Sequence, residues 1–360
     1  MPFFGSPSRG SGQASFGRGG GAAKTFLTRM VITSGYVAAG YRGGVAWRNV
    51  NKLNQSTDIT TNLGDIIQEA GSYTKGAQTK NTAYIFSTNG TGTQGVGAFT
   101  STSCFNMRND TSMTKNNSMN SGSTIGDAST LYAPASDGGY TYAYANGNIG
   151  NSEIQKFNMT TEVFTAGLGT SLDQGGTGAG SHFGETFGYW WAEGASASAD
   201  NTAAGKRKFV FATEAESTVS GAAPANHGQQ KGLMSKVGYG YGGNEGGYGG
   251  GRYFRKWNYA TENSVGTPQK PIWWSGEENY LMGQTAGYVL GVYSDTAGGN
   301  VSAQTQVNDS GKYVYATDVG TMGASSMWPT GTATGTGNSG ECCGGGQIAG
   351  RSSGVGFWRD

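Results

Sequence analysis

Between residues 140 and 165 the chain reads YTYAYANGNIGNSEIQKFNMTTEVFT. Aromatic and small residues alternate at period two, which predicts a strand, and Asn and Gly then mark a turn. A second strand ends at Lys156-Phe157-Asn158, and a tight turn through Thr160-Thr161-Glu162 leads into a third. One such antiparallel meander has no means of burying both faces, so it needs neighbours of its own kind.

The sequence supplies them. Aligned on Lys156, equivalent places fall at Lys52, Cys104, Lys156, Lys208, Lys256, Gln304 and Gly356, with spacings of 52, 52, 52, 48, 48 and 52 residues. The next residue is large and apolar in most units: Leu53, Phe105, Phe157, Phe209, Trp257, Thr305 and Phe357. A strand would turn it into a sheet-to-sheet interface, so Phe105, Phe157, Phe209, Trp257 and Phe357 are expected as the repeating core. The residue after that is Asn54, Asn106, Asn158, Val210, Asn258, Gln306 or Trp358. Six residues past the anchor an acid recurs as Asp58, Asp110, Glu162, Glu214 and Glu262, with Ser310 the exception; it reads as part of a hairpin turn.

A period of about 50 residues over 360 argues for one closed repeat architecture in place of two average domains. The expected fold is all-β, with seven units, or six if the Cys-containing C-terminus is only a closing segment. Each has an aromatic or apolar strand before its anchor, as at Tyr84-Ile85-Phe86, Trp190-Trp191 and Tyr288-Val289-Leu290. The last unit stops at Asp360, where a fourth strand is due, while residues 24 to 34, KTFLTRMVITS, have the content of a spare strand. Pairing of the N- and C-terminal strands would close the array and remove its exposed edges.

Composition sharpens this picture. There are 66 Gly, only 13% of residues are charged and 12% are aromatic, which favours a turn-rich β domain over disorder. The 24 basic and 23 acidic side chains nearly cancel, so nothing demands a nucleic acid or an anionic membrane. Three Cys, one at Cys104 and an adjacent pair at Cys342-Cys343, do not make a disulfide framework. No apolar run is long enough to span a bilayer, and MPFFGSPSRGSG lacks the apolar core of a signal peptide, so synthesis in a cytoplasm without membrane insertion is expected. Residues 1 to 23 form a Gly/Ser/Arg arm with almost nothing to bury; Phe3, Phe4, Arg9, Phe16 and Arg18 are its candidate contact residues for assembly.

YAYANGNIGNSEIQKFNMTTEVFTAGLG resembles a kelch-type repeat, in which a strand runs into a Gly-rich turn and a Thr-containing turn leads to the outer strand. That resemblance extends with varying quality over residues 24 to 360 and implies a β-propeller of four-stranded blades. Most units lack the tandem Gly pair, and Phe164 stands where the outer-strand Trp is usual. Propellers host enzymes, lectins and scaffolds alike, so the site must decide. A copper oxidase needs convergent His and Tyr; the two His, His182 and His227, read as lying in Gly/Ala-rich loops without nearby ligands. A glycosidase needs paired carboxylates, for which Glu185, Glu193, Glu277 and Asp295 are loop candidates better explained as solvated turns. Asp137-x-Gly139-x-Thr141-Tyr142 resembles an Asp-box but occurs once. The Tyr- and Arg-bearing stretch from 238 to 257 falls on the repeat, so it is read as structure and not as a nucleic-acid segment.

No catalytic residue, metal or cofactor is therefore expected. A leaderless, low-charge, Gly/Asn/Thr-rich propeller with a Gly-rich arm resembles virion proteins of tailed bacteriophages. The expected role is a non-enzymatic virion structural protein present in many copies. Its arm would attach it to other virion proteins and its Tyr/Asn/Thr/Gly loops would face a polar partner such as a host-surface glycan. A second reading is a kelch-type carbohydrate-binding protein or carbohydrate-active enzyme.

Overall fold

The computed structural model describes residues 34–38, 41–42, 45–46, 48–68, 71–79, 81–89, 99–114, 130–134, 140–146, 154–165, 168, 180–183, 186–191, 206–219, 230–236, 239–244, 254–265, 279–282, 285–294, 307–322 and 355–359. All of the regular structure among them is β. The first strands are β1 (Ser34–Ala38), a small pair β2 (Tyr41–Arg42) and β3 (Val45–Ala46), then β4 (Val50–Asn54) and β5 (Ile59–Asn62). A second group is β6 (Gly71–Gln78), β7 (Thr82–Asn89), β8 (Phe99–Asn106) and β9 (Thr111–Met113); a third is β10 (Thr130–Pro134), β11 (Tyr140–Asn146), β12 (Ile154–Asn158) and β13 (Val163–Thr165). The fourth is β14 (Gly180–Phe183), β15 (Phe187–Trp191), β16 (Lys206–Val210) and β17 (Ala215–Thr218), and the fifth β18 (Gln230–Lys236), β19 (Tyr239–Asn244), β20 (Phe254–Asn258) and β21 (Asn263–Ser264). The sixth is β22 (Asn279–Met282), β23 (Ala286–Ser294), β24 (Val307–Val314) and β25 (Val319–Met322), and β26 (Val355–Arg359) ends the described chain.

Groups two to six are each a four-stranded antiparallel meander in chain order. The first sheet is different, with the order β26-β1-β4-β5, so its first strand comes from the far end of the chain. Ser34 faces Arg359 and Ala38 faces Val355 in that pairing. The N- and C-terminal pairing expected from the sequence is thus present, but in another place. Phe357 does not begin a seventh sheet; its strand lies beside β1, with Phe357 opposite Tyr36. Six four-stranded sheets and one two-stranded sheet account for the described strands, in place of the seven units preferred from the sequence and in agreement with its alternative of six.

The sixth unit also needs a shift of register. Its third strand is β24, and the residue equivalent to Lys52 and Lys256 is Lys312, which faces Tyr288 as Lys52 faces Tyr36. Gln304 and Thr305, taken from even spacing, lie outside the described residues. The aligned residue after the anchor is Tyr313, fully buried, and the acid six residues on is Asp318.

Third and fourth strands are joined by a four-residue turn in every sheet: 55–58, 107–110, 159–162, 211–214, 259–262 and 315–318. Where Asn precedes the turn, its side chain accepts the N–H two residues on, as from Ser56 at 2.9 Å, Arg108 at 2.8 Å, Thr160 at 2.9 Å and Ala260 at 2.8 Å. These Asx turns explain the recurring Asn. The turn ends in a left-handed residue, with φ of 56° at Asp58, 58° at Asp110, 56° at Glu162, 51° at Glu214, 50° at Glu262 and 54° at Asp318. Gly would adopt this conformation at no steric cost, whereas a side chain costs about 1 kcal/mol. In a chain with 66 Gly, six acids at that site call for a reason outside the turn.

Sheets pack face to face through residues that alternate along the third strand. Phe105, Phe157, Phe209 and Trp257 are all at most 1% exposed, as the sequence predicts. Phe105 meets Tyr36 of the preceding sheet at 5.6 Å between ring centroids, Phe157 meets Tyr84 at 5.3 Å and Trp257 meets Tyr189 at 6.0 Å. Leu53 clusters with Tyr288 of the sixth sheet. The first strands also follow one another: β26 touches β6, β6 touches β10, and β10, β14, β18 and β22 continue the succession until β22 touches β26.

Candidate functional site

The feature that recurs at the sheet boundaries is the left-handed acid of one sheet's turn, bonded by side chains of the sheet before it. A strand-two Tyr and a strand-three Lys stand opposite each other in register, as Tyr36 with Lys52, Tyr189 with Lys208 and Tyr288 with Lys312. Directly opposed residues share a face, so both look at the next sheet. There they meet the left-handed acid of that sheet's turn.

Between the first and second sheets, Lys52 Nζ donates to Asp110 Oδ2 at 2.6 Å, and the Tyr36 hydroxyl lies 2.8 Å from Asp110 Oδ1 and 2.9 Å from the Met107 carbonyl oxygen. Lys156 of the third sheet pairs with Glu214 of the fourth. Lys208 and Tyr189 of the fourth both donate to Glu262 of the fifth, the hydroxyl at 3.0 Å. Lys256 of the fifth donates to both oxygens of Asp318, at 2.8 and 3.1 Å. Lys312 of the sixth then reaches back to Asp58 of the first, at 2.7 and 3.0 Å, across 254 residues of sequence. Tyr288 donates to the Gln55 carbonyl of the same turn at 3.1 Å.

The acid is therefore more than a hairpin residue: its backbone shapes the turn while its carboxylate is the neighbour's hydrogen-bond acceptor. That second task explains why Gly does not replace it. Each Lys also lies over aromatic rings of its own sheet, Lys156 at 4.0 Å from the Tyr142 centroid, Lys256 at 4.4 Å from Tyr239 and Lys208 at 4.7 Å from Phe187. Ring and carboxylate together hold the ammonium in a partly desolvated slot.

Burial, reinforced by the bonded carboxylate, moves the ionisation of Tyr84 and Tyr189 far above the ordinary phenol range. Tyr288 is raised by burial and by the charge of Asp58. These hydroxyls remain neutral donors throughout the ordinary pH range. At Glu262 partial burial opposes ionisation, but the bonds from Lys208 and Tyr189 outweigh it and the carboxyl titrates lower than usual.

The second sheet departs from this pattern. Cys104 stands where the other five have Lys, and among the described residues Tyr84 is the side chain that bonds across, donating to Glu162 at 2.9 Å with the Met159 carbonyl at 3.3 Å. Gln68, in the linker from the first sheet, brackets Cys104 instead. Its Oε1 accepts the Cys104 N–H at 3.1 Å, and its Nε2 lies 3.4 Å from the Cys104 carbonyl and 3.2 Å from Ser112 Oγ.

The arm residues Phe3, Phe4, Arg9, Phe16 and Arg18 lie outside the described residues, as do His227, Glu185, Glu193, Glu277, Asp295, Asp137, Cys342 and Cys343. His182 does not sit in a loop: it is on β14, opposite Tyr189. Among the described residues no group of three or more His, Cys, Asp and Glu is placed to hold a metal. No helix of the described chain is long and apolar enough to cross a membrane. Lys312, Asp318 and Gln68 are the joint residues that the repeat spacing missed. The first two carry a mark in the sequence, because KYVYATD at 312–318 matches KFVFATE at 208–214 at four of seven positions and differs only by Tyr for Phe, twice, and Asp for Glu.

Comparison with known proteins adds little to this geometry. No family model matches the chain, and no curated protein matches it. Among solved structures, one titled "Structure of YjhT" is similar over 57% of this chain and 67% of that one, at 12% identity and a TM-score of 0.42.

Proposed function

We propose that the chain is a six-bladed β-propeller serving as a non-enzymatic structural and binding component of a tailed-phage virion. The observation that carries the propeller reading is the succession of joints, which runs from Lys52–Asp110 through each sheet in turn and returns at Lys312–Asp58. A six-membered cycle of antiparallel meanders, with the C-terminal strand seated in the first sheet, leaves no open end to the array.

The chemistry of the joints supports a scaffold. The recurring Lys, Asp and Glu are engaged with one another between sheets, so the groups that stand out in the sequence serve to fix blade to blade. Binding then belongs to residues that do not repeat: the Gly/Ser/Thr/Asn/Tyr connections, suited to polar partners such as glycans, and the Gly/Ser/Arg arm.

The test uses the intact chain and a truncation lacking residues 1 to 23. Mass spectrometry of purified particles is expected to find the intact chain and not the truncated one, while circular dichroism shows both folded. Incorporation of the truncated chain, or absence of the intact chain from particles, would overturn the assembly role. Turnover of a glycan by the purified protein would overturn the non-enzymatic one.

A further inference from the structure

We propose that the joint between the second and third sheets is a built-in seam, the place where neighbouring sheets separate first and short of global unfolding. The six joints are six versions of one device, so differences among them are informative. Five carry an ammonium on the acid: Lys52 on Asp110, Lys156 on Glu214, Lys208 on Glu262, Lys256 on Asp318 and Lys312 on Asp58. At the remaining one the Lys position is Cys104, whose one-carbon side chain cannot span to the next sheet.

Three further features weaken the same boundary. Cys104 Sγ lies 3.6 Å from the Met113 carbonyl, so its weak donor is directed to its own outer strand and not across the joint. The aromatic that lies beneath the ammonium as Tyr142, Phe187 or Tyr239 is Thr82 in the second sheet; Ser34 and Ala286 stand there in the first and sixth, but those two keep their Lys. Glu162 nevertheless keeps the left-handed conformation, φ 56°, with the neutral Tyr84 hydroxyl as its donor. A hydroxyl on a carboxylate is a bond with charge on one side only, whereas an ammonium also brings the opposite charge to the acid. Among the described side chains this boundary shows the Tyr84–Phe157 contact and the Tyr84 hydroxyl with Glu162 and the Met159 carbonyl, beside the approach of β6 to β10, while it retains the conformational cost that elsewhere accompanies an ion pair.

The thiol that creates the seam also reports on it. Cys104 is 1% exposed, so a thiol reagent reaches it only when the second sheet parts from its surroundings. The experiment labels the Cys342→Ser/Cys343→Ser protein with excess Ellman's reagent across low urea concentrations. It compares this with a protein in which Cys104→Ala and Ala286→Cys move the single thiol to the joint between the sixth and first sheets. Ala286 is 2% exposed there, in one cluster with Leu53 and Tyr288 of the joint that Lys312–Asp58 spans.

Cys104 is expected to react through an opening whose urea dependence is much weaker than that of global unfolding. Its opening equilibrium should exceed that of the Ala286→Cys thiol by about fivefold, the factor carried by one partly exposed ion pair. Labelling of Cys104 with the full urea dependence of global unfolding overturns the seam, as does equal or faster opening at Ala286→Cys. Should Ala286→Cys disturb folding, the urea dependence at Cys104 alone still decides. The seam follows from the joints themselves, so this test stands whether or not the chain is part of a virion.

Discussion

Replacing Asp110 separates the two tasks assigned to the recurring acid, shaping a left-handed turn and bonding the neighbouring sheet. Asp110 has φ 58° and takes Lys52 Nζ at 2.6 Å and the Tyr36 hydroxyl at 2.8 Å, with its side chain 24% exposed. Two bonds to a charged group at that partial exposure contribute about 1–2 kcal/mol together, below the fully buried figure because solvent screens the pair. Tyr36 keeps the Met107 carbonyl as an alternative acceptor at 2.9 Å, so its hydroxyl is not stranded when the carboxylate goes. Asp110→Ala loses the bonds and keeps the left-handed strain, and should cost about 1–2 kcal/mol. Asp110→Gly loses the same bonds but relieves about 1 kcal/mol of strain, and should fall between Ala and wild type. Urea unfolding followed by Trp fluorescence reads both, as shifts in midpoint at constant slope. If Gly proves as destabilising as Ala, the turn is not strained. If Gly is more stable than wild type, the joint contributes nothing.

Trp257→Ala removes a fully buried ring from the boundary with the fourth sheet and should cost about 3–5 kcal/mol, read by the same urea assay. Glu262 has a lowered pKa in the folded chain, so its contribution is present above the ordinary carboxylate pKa and lost as pH falls through the lowered one. Glu262→Gln should therefore flatten the acid limb of a melting-temperature profile, and an unchanged acid limb would count against the bond to Lys208. Asn51 is 1% exposed and neither amide atom has a partner among the described residues, so Asn51→Leu should stabilise by about 1 kcal/mol in a thermal melt. A loss there would show that the amide is bonded through a buried water.

Much of the fold was legible because a blade-like meander repeats its needs. Lys52, Cys104, Lys156, Lys208 and Lys256 were aligned correctly, and the apolar residue after each does enter the sheet-to-sheet core. At the sixth unit the spacing and the residue pattern part company. Lys312 lies 56 residues beyond Lys256, the extra length falling in the connection between β23 and β24, so even spacing chose Gln304. Phe357 is a second departure from the repeat, because a lone strand that completes a distant sheet carries no mark of its partner.

The joint was half legible. Recurrence of Lys and acid six residues apart suggests a local pair within one hairpin, yet each Lys bonds the acid of the following sheet, 58 residues on for Lys52 and 62 for Lys256. A sequence gives the period but not the rotation that brings one unit's strand over the next unit's turn. The clue was a negative one. Where a Gly-rich chain needs a left-handed residue and never uses Gly, the side chain has a task elsewhere.

That the sixth sheet lies against the first through Lys312 and Asp58 is put to its sharpest test by a double-mutant cycle on that pair. Lys312→Met, Asp58→Asn and the double variant are unfolded in urea alongside wild type, and the coupling free energy is taken from the four midpoints. The predicted result is a favourable coupling of about 1 kcal/mol, falling with added salt as expected of a half-exposed ion pair. Strict additivity of the two single effects at low salt would contradict it, because residues 254 apart in sequence couple only if the fold brings them together.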